Sequence, residues 1–127
     1  MDELTDAAAD GHLHKLESFL QRPQDPDLVD HEGDTALFRA SMQGHTDVVR
    51  LLLEARADVD KAPKVGGTPL FEASDFGHAE TVRILLQARA NVETVEVLSG
   101  CTAFLRASVH GHSEIVNLLL EARANPG

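Results

Sequence analysis

The dipeptide Gly-His occurs four times along the chain, at Gly11-His12, Gly44-His45, Gly77-His78 and Gly111-His112, with spacings of 33, 33 and 34 residues. Each copy carries the same surroundings in the same order. An apolar cluster follows: Phe19-Leu20, Leu51-Leu52-Leu53, Ile84-Leu85-Leu86 and Leu118-Leu119-Leu120. Next comes Glu54-Ala55-Arg56-Ala57-Asp58, echoed by Gln87-Ala88-Arg89-Ala90-Asn91 and Glu121-Ala122-Arg123-Ala124-Asn125. Ahead of each later Gly-His stands a Gly-x-Thr, at Gly33-Asp34-Thr35, Gly66-Gly67-Thr68 and Gly100-Cys101-Thr102. Self-similarity at a fixed period of this length restricts the chain to a stack of supersecondary units, because no single unit hides its own apolar face.

Local chemistry makes each unit two short helices. Thr35, Thr68 and Thr102 are N-cap residues whose hydroxyl accepts from an orphaned amide of the first turn. Pro69 fits a first helical position, where the missing N–H costs nothing. Leu37 with Ala40, and Leu70 with Ala73, repeat at helical spacing, and the small alanine allows close approach of a neighbouring helix. Gly44, Gly77 and Gly111 end the first helix. The stripe Val48, Val49, Leu52, Leu53 defines the second. Segments such as 58–66, with Pro63 and Gly66, suit extended, turn-tipped connections.

The run Thr68-Pro69-Leu70-x-x-Ala73, followed by Gly-His, Leu-Leu and Ala-x-Ala-Asp, resembles the ankyrin repeat, and the likeness covers nearly the whole chain. It implies an all-α fold: a curved solenoid of stacked helix–turn–helix units joined by hairpin-like loops. It also implies protein binding through the hairpin tips and the concave face of the inner helices. The expected organisation is one domain over 1–127 with repeats at 1–30, 31–63, 64–97 and 98–127. The first is divergent, with Pro23 and Pro26 in place of Arg56 and Val59. The third is one residue longer, which places a bulge near Thr94–Ser99. Two slots depart from the family. Phe38, Phe71 and Leu105 stand where the family has His, as apolar replacements of an inter-repeat polar contact. Arg56, Arg89 and Arg123 stand where it has Gly, a slot of positive φ in which a side chain costs about 1 kcal/mol.

Composition narrows the function. A net charge of −10 repels phosphate backbones and argues against nucleic acid. No apolar run is long enough to span a membrane, and the acidic start Met1-Asp2-Glu3 lacks the features of a signal peptide, so the cytoplasm or nucleus is the expected location. Four of the seven histidines belong to the repeat. His12-x-His14 and His110-x-His112 have two-ligand spacing, but no Cys or acidic cluster completes a zinc set. Cys101 has no activating base close in sequence. No metal, cofactor or catalytic residue is therefore expected.

What varies between repeats while the framework stays constant is the recognition surface. The repeat-matched inner-helix positions are Arg39, Met42 and Gln43; Glu72, Asp75 and Phe76; and Arg106, Val109 and His110. Val65 and Leu98 add apolar residues at the hairpin tips. Arg39, Glu72 and Arg106 occupy equivalent positions and are expected to pair with one another. The expected role is a non-enzymatic interaction module. The alternatives are an accessory subunit fixed in a larger assembly, and the regulatory ankyrin portion of a longer, multidomain protein. A monomer is expected, with end-to-end association open through a C-terminal repeat whose stripe Ile115, Val116, Leu119 has no polar capping repeat beyond it.

Overall fold

The computed structural model describes residues 3–20 and 25–124. Pro23 and the segment 125–127 lie outside the described residues, and the side chain of Phe19 is likewise not described. Among the described residues the chain forms eight helices and no strand. They run in pairs: α1 (Glu3–Asp10) with α2 (Leu13–Leu20), α3 (Ala36–Gln43) with α4 (Thr46–Glu54), α5 (Pro69–Asp75) with α6 (Ala79–Gln87), and α7 (Ala103–Val109) with α8 (Ser113–Ala124). Helices α1, α3, α5 and α7 pack side by side as the inner layer, and α2, α4, α6 and α8 form the outer layer. This is the all-α repeat solenoid expected from the period.

Helices of seven to twelve residues are marginal alone, so packing between units holds them. Ala40, Ala73 and Ala107 are fully buried where the inner helices meet, and Val49, Val82, Leu52 and Leu85 fill the space between the two layers. Each threonine caps as its position dictates. Thr35, Thr68 and Thr102 accept from the amides of Phe38, Phe71 and Leu105. Such caps contribute about 1 kcal/mol apiece.

The Gly-His pair joins one unit to the next. Gly11, Gly44, Gly77 and Gly111 all have φ between 72° and 80°, the left-handed conformation that reverses the chain after the inner helix. The following histidine reaches back one repeat. His45 Nε2 lies 2.8 Å from the carbonyl of Ala9, His78 Nε2 3.0 Å from that of Met42, and His112 Nε2 3.2 Å from that of Asp75. A carbonyl only accepts, so Nε2 carries the proton in each. The ring then sits on the glycine of the preceding repeat's Gly-His pair. A Cβ on Gly44 would lie 2.5 Å from His78 Nδ1, and one on Gly77 would lie 2.8 Å from His112 Cε1. The glycine is thus required for its φ and again for the room it leaves. Gly111 has the same φ but nothing within 4 Å of that point.

Arg56 and Arg89 have φ of 70° and 68°, as their slot requires. Their own amides bond to the carbonyls of Leu53 and Leu86, and those of Ala57 and Ala90 bond to Leu52 and Leu85. Arg123 differs and remains inside α8. At the other two sites the reversal is held by the hairpin that follows, where Val59 and Val92 pack on the core. The apolar replacements also divide. Phe38 and Phe71 are 5% and 6% exposed, whereas Leu105 is 47% exposed. The Phe38 ring lies under Gly66 of the next hairpin; no described segment covers Leu105 in this way.

Gly44→Ala should therefore cost about 2–4 kcal/mol in chemical denaturation, from backbone strain plus a displaced His78 hydrogen bond. Gly111→Ala should cost only about 1 kcal/mol, from strain alone. Equal losses would remove the histidine contact as the cause. The double variant Arg56→Gly with Arg89→Gly should raise the melting midpoint by several degrees, reflecting about 1–2 kcal/mol.

Candidate functional site

The last turns of the inner helices use their carbonyls for the histidine contacts and turn their side chains outward. Met42 is half-buried, Gln43 is exposed, Phe76 is 55% exposed and Val109 is 71% exposed. Between the latter two stands a polar cluster. Asp75 Oδ1 accepts from Arg106 Nε at 3.0 Å and lies 2.9 Å from His110 Nε2. This bridge joins α5 to the end of α7 across the repeat boundary. It consumes His110, while the His112 ring bonds the Asp75 carbonyl, so the His110-x-His112 pair faces protein acceptors. In the other pair, His14 lies 3.5 Å from Glu17.

Arg39, Glu72 and Arg106 do not pair as expected. Arg39 turns to its own hairpin. Its Nη2 lies 3.1 Å from Asp30 and also pairs with Glu32, and its Nε is 3.0 Å from Asp34 without the alignment of a hydrogen bond. Those carboxylates converge closely enough to suggest a cation site, and Arg39 supplies a cation. Burial opposes ionisation of Asp30, but the Asp34 and Glu32 amides, helped by Arg39, outweigh it and hold the carboxyl below its usual range. Asp34 moves the other way, raised by burial and by its acidic neighbours despite Arg39. Glu72 is buried and accepts from the Gly67 amide at 3.0 Å. Burial pushes its carboxyl up, with Gly67 pulling against that and Asp75 and Glu96 adding to it. Glu72 thus braces a hairpin from below and offers little surface. The physical reason for the difference is reach: each of these side chains has a partner in its own hairpin or in Asp75 that is nearer than the equivalent residue one repeat away.

Two hairpin organisers escaped the sequence reading. Asp30, five residues ahead of Thr35, binds the amides of Glu32 and Asp34. Glu96, six ahead of Thr102, binds the amides of Leu98 and Ser99 and the Ser99 hydroxyl. These hydrogen bonds, led by that of the hydroxyl, keep Glu96 ionised below its ordinary range. The third hairpin has one more residue, and its carboxylate has one more carbon. That pairing of loop length with side-chain length was the available signal. The extra residue falls inside the expected segment, with Glu96 N–H bonding the Cys101 carbonyl at 2.9 Å. It pushes Val97 and Leu98 outward, and both are exposed, as is Val65 at the preceding tip. Cys101 is half-buried, its thiol turned to the Ser99 carbonyl. An open hollow of about 580 Å³ lies instead on the outer layer, between α6 and α8. No helix among the described residues is long and apolar enough to cross a membrane.

A family model for ankyrin repeats in three copies matches residues 4–96, and one for a single ankyrin repeat matches residues 99–127. The chain belongs to the ankyrin repeat family. No curated protein matches it closely enough to count as a relative. Ankyrin repeats are generally protein–protein interaction modules and typically non-enzymatic.

The raised Glu72 carboxyl has a sign that can be checked. The folded state holds this proton more tightly than the unfolded chain does. Its contribution to stability is therefore present below the ordinary value of 4.5 and lost as pH rises through the raised folded value. Glu72→Gln keeps an acceptor for Gly67 and removes the buried charge. Its melting midpoint relative to the parent should be higher at pH 7 than at pH 4. A midpoint difference that is the same at both values would show that the carboxyl is not perturbed.

Proposed function

We propose that this chain is a non-enzymatic module that binds another protein through its hairpin tips and the inner-helix face of its middle repeats. The observation that supports this most directly is Phe76, an aromatic ring more than half exposed on a rigid helix end. It is flanked by the Asp75–Arg106–His110 bridge and by Val109. An apolar anchor beside fixed polar groups is the usual anatomy of an interface centre and its rim. Met42 and Gln43 extend the face toward the second repeat. Val65 and Leu98 extend it to the tips. Arg39 and Glu72 act mainly by fixing the hairpins between which a partner would lie. The acidic total favours a partner whose contacting surface is apolar or basic, and disfavours nucleic acid.

Affinity capture from a native extract, with mass spectrometry of the retained proteins, identifies the partner. Phe76→Ala should then weaken binding by about 2 kcal/mol or more, near thirtyfold, with circular dichroism unchanged. Glu54→Lys, on the exposed outer-helix surface, should alter it by less than about 0.5 kcal/mol. A larger effect of the outer-helix change would move the interface away from the inner face.

A further inference from the structure

The large apolar side chains that stand in water are gathered on one part of the stack. Among the described residues ten are exposed, and six of them, Leu28, Val29, Val65, Val95, Val97 and Leu98, lie on the hairpins. Leu105, Val109 and Leu120 belong to the last repeat, and nothing in the structure shows what covers them. The stripe expected to be open in that repeat is largely closed, with Ile115 and Leu119 buried and Val116 half-buried. The hairpins are a different case. The middle one has a neighbour on each side and still exposes Ala62 and, at 69%, Val65. Its exposure belongs to the hairpin edge and not to an end of the stack. Val29, Ala62 and Val95 recur 33 residues apart and form an apolar row that crosses all three hairpins, each member exposed.

Two residues before each member of that row stands a carboxylate, Asp27, Asp60 or Glu93. The aspartates form a chain along the hairpin bases. Asp25 Oδ1 accepts from the Asp27 amide at 2.9 Å, Asp27 Oδ1 from that of Asp58 at 2.8 Å, Asp58 Oδ1 from that of Asp60 at 3.0 Å, and Asp60 Oδ1 from that of Asn91 at 2.9 Å. An amide satisfies a carboxylate oxygen but brings no cation, so these charges are held in place without being neutralised. Segments 25–35, 58–68 and 91–102 hold nine of the 21 acidic residues and two of the 11 basic ones. That is most of the net charge of −10 on about a quarter of the chain. Arg39 enters the first hairpin and Arg123 lies 3.6 Å from Glu93, which leaves the edge strongly negative.

Resting on the reading of the chain as a protein-binding module, we infer that the hairpin edge docks an extended segment of a partner that carries cationic and apolar side chains together. Charge selects this occupant. A second copy would bring the same negative edge to the contact, and a phosphate-rich surface would be repelled in the same way. Cationic side chains would meet carboxylates that have no cation of their own, and apolar ones would cover Val29, Ala62, Val65 and Val95. The spacing suits an extended chain. Packed helices of neighbouring units lie about 8–10 Å apart, and three residues of extended chain span about 10 Å. One apolar and one cationic residue in every three would therefore keep step with the repeats.

Fluorescence anisotropy of a labelled peptide of four Val-Lys-Ser units, titrated with the full chain, tests this. The peptide should bind saturably with a dissociation constant below about 1 mM. Peptides of Ser-Lys-Ser or Val-Glu-Ser units should bind about tenfold more weakly or not at all. Asp58→Asn with Asp60→Asn removes two charges and keeps both acceptors. Asn91 already plays the part of Asp58 one repeat on, accepting from the Glu93 amide at 2.9 Å, so the fold should persist. This pair and, independently, Val29→Ser with Val95→Ser should each weaken the Val-Lys-Ser peptide about fivefold or more, with circular dichroism and the melting midpoint as the check. Absence of saturation would overturn the inference. So would equal binding of the Ser-Lys-Ser peptide, or binding indifferent to both double variants. Loss on Phe76→Ala with the hairpin variants unaffected would place the peptide on the inner face, keeping the proposed function and removing this inference. A larger loss on Glu54→Lys than on any of these would remove both.

Discussion

Each later repeat is fastened to its predecessor by an imidazole that sits on a glycine of that predecessor and donates to the carbonyl two residues before it. The geometry explains why glycine and histidine recur together. Glycine supplies the left-handed turn and, by lacking a Cβ, the space; histidine supplies a flat ring and one directed donor. The acceptors, on Ala9, Met42 and Asp75, belong to the last turns of inner helices, whose carbonyls would otherwise have no partner within the helix. One contact thus caps a helix, sets the spacing of two units and fixes the angle at which the outer helix departs.

Because that contact uses only main-chain atoms of the preceding repeat, it leaves the side chains at the same positions unconstrained. Met42, Asp75 and Val109 occupy one structural slot with three unrelated chemistries. Gln43, Phe76 and His110 do the same one residue on. Framework and recognition share the same backbone without competing, and this is how the stack varies its inner surface while the Gly-His contact stays the same. The hairpins follow a similar logic with different parts. Asp30 organises the first by accepting amides, Glu72 supports the second from beneath, and Glu96 spans the third, which is longer by one residue.

The charges are largely spent on this internal work. Arg39 neutralises part of a three-carboxylate hairpin, and Arg106 and His110 converge on Asp75. Further ion pairs tie neighbouring outer helices, from Arg50 to Glu80 and from Arg83 to Glu114. Exposed pairs of this kind contribute little each, so their effect is alignment more than stability.

The period, the helix pairs and the threonine caps were legible in the sequence, because each depends on residues a few positions apart or on a recurrence that needs no structure to see, and the left-handed slots at Arg56 and Arg89 followed from the family resemblance. The candidate surface was legible only as a contrast between fixed and varied positions. What the tertiary structure alone decided was direction and cover. It showed that Arg39 turns to its hairpin, that Glu72 is buried, that Arg123 stays helical and that Ile115 faces inward while Leu105 and Leu120 do not. Those outcomes depend on which neighbour lies nearest in space and on whether another unit covers a given row. Whether a side chain takes a partner in its own hairpin, as Arg39 and Glu72 do, or one some thirty residues away, as Arg106 does, is set by distances in the folded chain that no local pattern carries.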